Sequence, residues 1–96
     1  MKISVMAIRL IDPNKQSHAY MSGLRAFADV KFDMLLIRDF KIFQRDERVY
    51  SISPSVVFKQ DGKNQFHPLV SMPDELRAEV DAEIVSAYFK VKEKKP

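Results

Sequence analysis

Hydrophobic and polar positions alternate along the first half of the chain. In Ile3–Leu10, Ile3, Val5 and Ala7 fall on one face and Met6, Ile8 and Leu10 on the other, which predicts a strand. Asp12-Pro13-Asn14 stops it with turn chemistry, and Lys15–Gly23 reads as a polar loop or wide hairpin connection. Leu24–Phe32 alternates more cleanly. Leu24, Ala26, Ala28, Val30 and Phe32 share a face, with Arg25, Asp29 and Lys31 opposite, as in a half-buried strand. Asp33 permits a tight turn into Met34–Phe43, where Met34, Leu36, Phe40 and Ile42 alternate and Arg38 is the exception. Leu35 and Ile37 make the start of this strand apolar on both faces. Such strands are covered on both sides, and in so short a chain a second copy is a candidate for the second cover.

The charged loop Gln44–Arg48 leads into a return strand, Val49–Ser53, which Pro54 ends because proline cannot donate to a ladder. Val56-Val57-Phe58 is β-prone, Gln60–Lys63 is a turn, and Phe66–Val70 is extended. Period then changes from two to 3.6. Leu76, Val80, Ile84, Ala87, Tyr88 and Val91 recur every three or four residues, a stripe about five turns long. Ser71 is a candidate cap, Pro73 suits the first turn, and Asp74 and Glu75 complement the positive end of the helix. The pattern predicts an α+β fold: an antiparallel meander of four to five strands, then one C-terminal amphipathic helix packed on a sheet face, with a dimer formed through the sheet. The expected interface residues are Leu35, Leu36, Ile37 and Phe40.

At 96 residues the chain is one domain, read as residues 1–90 with a basic tail over 91–96. Cysteine is absent, which excludes a disulfide scaffold, a thiolate zinc site and a cysteine nucleophile. The longest aliphatic run, Met34-Leu35-Leu36-Ile37, is far short of a membrane span, and charged residues by position nine break any signal-peptide core. The expectation is a cytoplasmic protein with no membrane association. Net charge is +3, unevenly placed. Residues 1–72 carry 11 Lys/Arg against 7 Asp/Glu, residues 73–89 carry one against five, and residues 90–96 carry four against one. An acidic helix thus separates a basic front section from a basic tail.

Candidate chemistry is sparse. His18 and His67 lack metal-ligand spacing, and His67 reads as a half-buried turn histidine. No Gly-rich phosphate loop occurs, and Asp29, Asp33 and Asp39 read as two surface charges and a hairpin turn rather than a catalytic set. Asp39 lies in an apolar strand and needs a partner if partly buried. No enzyme activity, metal or cofactor is expected. Phe32, Phe40, Phe43, Tyr50, Phe58 and Phe66 interleave with Arg38, Lys41, Arg45, Arg48, Lys59 and Lys63. Sheets that bind single strands combine these residue types. Most of these aromatics are expected to fill the core, with Tyr50 and Phe58 as exceptions.

The run Leu35-Leu36-Ile37-Arg38-Asp39-Phe40-Lys41-Ile42-Phe43, a polar turn, and Val49-Tyr50-Ser51-Ile52-Ser53-Pro54-Ser55 resembles the SpoVG family of sporulation and septation regulators. Met6–Leu10 and Leu24–Ala28 are similar to the family's first two strands, Asp61-Gly62 and His67-Pro68-Leu69 to its downstream signatures, and the helix after Ser71 to its last element. The resemblance implies a small α+β domain that dimerises through its sheet and binds DNA or RNA to regulate gene expression or septation in bacteria. From this chain's own residues, the expected phosphate contacts are Ser55, Lys59, Lys63, Arg48, Lys90 and Lys92. Where the family places a basic pair after Pro-Ser, this chain has Val56 and Val57. That loss weakens the expected nucleic-acid binding. It also leaves an alternative, a protein-interaction module using Val56, Val57 and Phe58 as an edge for strand addition.

Overall fold

A computed structural model describes residues 1–94, apart from the side chains of Val57 and Phe58. Strands β1 (Ile3–Leu10), β2 (Leu24–Phe32), β3 (Leu35–Arg45) and β4 (Arg48–Ile52) form an antiparallel sheet in that order. A short helix, α1 (Ser17–Met21), sits between β1 and β2 where the sequence suggested only a loop. Strands β5 (Ser55–Gln60) and β6 (Lys63–Pro68) make a separate two-stranded hairpin, and α2 (Asp74–Lys94) closes the fold. The architecture is the expected α+β, with an antiparallel meander and a C-terminal helix. The hairpin β5–β6 pairs with itself instead of extending the meander as a fifth strand.

One face of the sheet is packed and the other is open. Val80, Ile84 and Tyr88, spaced at i, i+4 and i+8, are buried on α2. They meet Ala26, Ala28 and Val30 on β2 and Phe40 and Ile42 on β3. Small residues at the centre of β2 let the helix approach closely. Ser51 of β4 is also buried, and its N–H and Oγ each donate to Asp81 Oδ1 at 2.7 Å. Arg77 donates to the Ser51 carbonyl as well, so the first half of α2 is tied to β4 by polar bonds. The helix begins at Asp74, and the Pro73 carbonyl accepts the first bond, from Arg77 N–H at 2.9 Å.

Strict alternation does not hold, and bulges are the reason. Between Val5 and Ala7 the β1–β2 register shifts, so Ile3 and Val5 and then Ile8 and Leu10 all pack toward the core. Between Ile37 and Phe40 the β2–β3 register shifts again, with Asp39 at φ 66°. The second shift accounts for the Arg38 exception. Ile37 pairs with Val30 before the bulge and Phe40 with Ala28 after it, so both face the helix although their numbers differ in parity.

Turn chemistry follows the same backbone logic. Asp33 and Asp46 take positive φ at the β2–β3 and β3–β4 turns, and Asp61 and Gly62 both do so at the tip of β5–β6. Gly23 is required at the start of β2: at φ 105°, an added Cβ would lie 3.1 Å from the Gln44 carbonyl oxygen. The β5–β6 hairpin projects from the body, closed at its base by Leu69 N–H donating to the Pro54 carbonyl at 2.9 Å. The radius of gyration, 14.1 Å, exceeds the value of about 12.5 Å for a compact chain of this length. No helix among the described residues is long and apolar enough to cross a membrane.

Candidate nucleic-acid interface

The uncovered face of the sheet follows from the register. Opposite the core-facing positions lie Ser4, Ala7 and Arg9 on β1, Phe27, Asp29 and Lys31 on β2, and Leu36, Arg38, Lys41 and Phe43 on β3, with Tyr50 and Ile52 on β4. Phe43 and Tyr50 pair across β3 and β4 and stack with ring centroids 6.0 Å apart. The Arg48 guanidinium lies 5.4 Å from the Tyr50 ring centroid. Phe27 pairs with Lys41, so an aromatic and a cation stand side by side at the middle of the face.

The Met6 and Asp39 bulges both fall opposite Asp29, and a polar network fills the gap they open. Arg9 donates from Nη1 to Asp29 Oδ2 at 2.7 Å and from Nη2 to Asp29 Oδ1 at 3.0 Å. The same Nη2 donates to Asp39 Oδ1 at 2.6 Å, and the Asp39 backbone N–H donates to Asp29 Oδ1 at 3.2 Å. The Arg9 bond holds the Asp29 carboxyl below the usual carboxylate range against the opposing effect of burial. Asp39 finds a partner although it is not partly buried: 66% of its side chain is exposed, and Asp29 is the enclosed member at 14%. Both carboxylates on this face are therefore taken up by Arg9. Lys31, Arg38 and Lys41 make no ion pair among the described residues. The face presents cations beside three aromatic rings.

The residues expected to contact phosphate do not form one patch. Arg48 borders the cleft at the start of α2 with Asp74 and Arg77, whereas Lys92 lies in its last turn. At 1.5 Å rise per residue those helix ends are about 27 Å apart. Lys59 and Lys63 sit near the tip of the projecting hairpin, and Ser55 at its base pairs with Pro68. Lys90 flanks β1 beside Val5 and Ile8. His67, expected half-buried at a turn, is exposed on β6.

The aromatics divide differently from the expectation. Phe32 and Phe40 are core residues, but Phe43 lies on the open face and Phe66 is 70% exposed on the hairpin. Phe27, not singled out from the sequence, belongs to the open face, and its opposite parity to Ala26 and Ala28 was the available signal.

Of the four residues expected at a dimer contact, Phe40 is wholly buried in the chain's own core and Ile37 packs against that core. Phe40 is corrected to a core position, because the Asp39 bulge turns it under α2. Leu35 and Leu36 remain 61% and 43% exposed. Val57 and Phe58, as an interaction edge, lie outside the described side chains, and Val56 is exposed. No protein-family model matches this chain, and no curated protein matches it either.

Proposed function

We propose that the chain is a homodimeric, non-enzymatic regulator of the SpoVG type, acting in the cytoplasm by binding single-stranded nucleic acid across the open face of its sheet. The observation that carries this reading is the juxtaposition of Phe27, Phe43 and Tyr50 with Lys31, Arg38 and Lys41 on a face that no described element of the chain covers. Flat rings offer stacking platforms to any base, and neighbouring cations track the phosphates. The order and spacing of the SpoVG-like segments support the same class. The apolar surface of Met34, Leu35 and Leu36, at the turn into β3 and its first residues, is the candidate contact for a second copy.

Salt-titrated binding to a single-stranded RNA oligonucleotide and to duplex DNA tests this. The expected result is tighter binding to the single strand, with log affinity falling linearly in log salt. Lys31→Glu with Lys41→Glu should flatten that slope by about 0.7 for each phosphate contact removed. Equal binding by native and double-variant protein would sink the interface. Sedimentation should give twice the 11.2 kDa chain mass, and a Leu36→Glu variant should run as a monomer. One observation favours protein contact as a second reading: Val56, Phe66 and Leu69 are exposed on and beside the projecting hairpin. That reading takes over if neither nucleic acid binds at low salt.

A further inference from the structure

A second concave site lies on the helix side of the sheet, at the end remote from the Ser51–Asp81 tie. The turn after β1, helix α1, the start of β2 and the last turns of α2 enclose a cavity of ≈ 340 Å³. Arg25 is its central charge. The β2 register shifts between Leu24 and Ala26, which takes Arg25 out of the alternation that would place it beside Phe27 and Asp29. Its guanidinium instead lies 3.7 Å from the Tyr20 ring centroid and donates from Nη1 to the Tyr20 carbonyl at 2.6 Å.

That half-buried cation has no carboxylate partner among the described residues. Its Nε and Nη2 donors have no acceptor there either, and among the described residues no buried polar side-chain atom lacks a bond. Those donors therefore remain open to a ligand. Tyr88 and Lys92 line the same cavity, with the ammonium 5.9 Å from the Tyr88 ring centroid. Leu10, Ile11 and Pro13 supply an apolar wall. Asp12 is the opposing charge on the rim, but its Oδ1 is occupied by the Asn14 N–H at 2.8 Å. Two cations against one turn-capping carboxylate leave the cavity net positive.

We infer that this cavity binds a small phosphate ester, its oxyanion held by Arg25 and Lys92 and its organic part against Leu10, Ile11 and Pro13. A guanidinium fork matches phosphate oxygens bidentately, and a lysine adds a point charge from another side. Mixed apolar and cationic lining at this volume suits a mononucleotide-sized molecule rather than a bare ion. The site is separate from the open face, so it does not depend on the reading proposed above.

Isothermal titration of the full chain with adenosine monophosphate, inorganic phosphate and acetate decides the matter. The expected result is saturable binding of the nucleotide, weaker binding of inorganic phosphate and none of acetate. Arg25→Gln should weaken nucleotide binding about tenfold or more, and Lys92→Glu several-fold, through loss of charge-assisted bonds. Lys92 is exposed, so its variant decides the question if Arg25→Gln fails to fold. Loss of nucleotide binding in Lys31→Glu with Lys41→Glu but not in Lys92→Glu would place the nucleotide on the open face and overturn the proposal. No saturable heat at about 10 mM nucleotide, native-like binding by Lys92→Glu, or equal binding of acetate would each overturn the proposal.

Discussion

The two faces of the four-stranded sheet are built from the same strands and do opposite work. Toward α2, Ala26, Ala28, Val30, Phe40 and Ile42 are wholly buried against Val80 and Ile84. The interactions there are non-directional, scale with area and tolerate no water. On the other face, Arg9, Asp29 and Asp39 form a bonded cluster, and Phe43 stacks on Tyr50 while both keep partial contact with solvent. Polar bonds near water contribute little net stability, because the unfolded chain makes equivalent bonds to solvent. The difference assigns stability to the packed face and leaves the open face free to change with little stability at stake.

Substitutions on the two faces should therefore separate folding from binding. The largest effect belongs to Ile84→Ala, which leaves a void against β2 and β3 and should destabilise by about 2–5 kcal/mol. Urea unfolding measures it, and a midpoint equal to that of the native chain would dissolve the contrast. Phe43→Ala should cost about 1–3 kcal/mol in affinity for a single strand by removing a stacking platform, while moving the urea midpoint far less than Ile84→Ala does. A fall in stability as large as that of Ile84→Ala would make Phe43 a core residue after all.

The smallest effect is the pH response of Asp29. Its folded carboxyl titrates below its unfolded value because Arg9 stabilises the charged form. The unfolded chain therefore takes up the proton first as pH falls. The contribution is complete above about pH 5 and fades below about pH 4. Asp29→Asn should be slightly less stable than the native chain at neutral pH, and the gap should close in acid. Thermal midpoints at neutral and acidic pH check this, and a gap that stays constant would show that Arg9 and Asp29 contribute nothing as an ion pair.

Much of the packed face was legible because burial imposes periodicity. The stripe from Leu76 to Val91 and the Ala26-Ala28-Val30 register are direct readings of it. The bulges were not legible, since a period-two reading assumes constant phase. It sent Ile8 to the wrong face relative to Val5, and left Arg38 as an anomaly. Helix α1 escaped because five residues carry no apolar stripe of their own. The open face was half legible. Phe43, Tyr50, Arg38 and Lys41 stood in the aromatic-basic set, but Arg9, Phe27 and Lys31 join them only through strand pairing. The positions singled out for phosphate contact scattered because they were chosen by charge along the chain, while the ends of α2 and the hairpin tip diverge in space.

The bulges opposite Asp29 also decide where the chain tolerates a change in its own length. Each is a single extra residue that reverses which side every later residue of its strand occupies. Deleting Met6 alone would straighten β1 and leave Ile3, Val5, Ile8 and Leu10 on one side. Deleting Asp39 alone would do the same for Ile37, Phe40 and Ile42. A one-residue loss at either bulge thus spares the core and removes only the gap that Arg9, Asp29 and Asp39 fill. Deleting Lys41 instead would set Phe40 and Ile42 on opposite sides and act like a core replacement. The hairpin β5–β6, paired only with itself, has no such phase to keep. Sequences sharing this fold should accordingly gain and lose residues near the hairpin tip and at the two bulges, while the interval from Phe40 to Ile42 stays fixed.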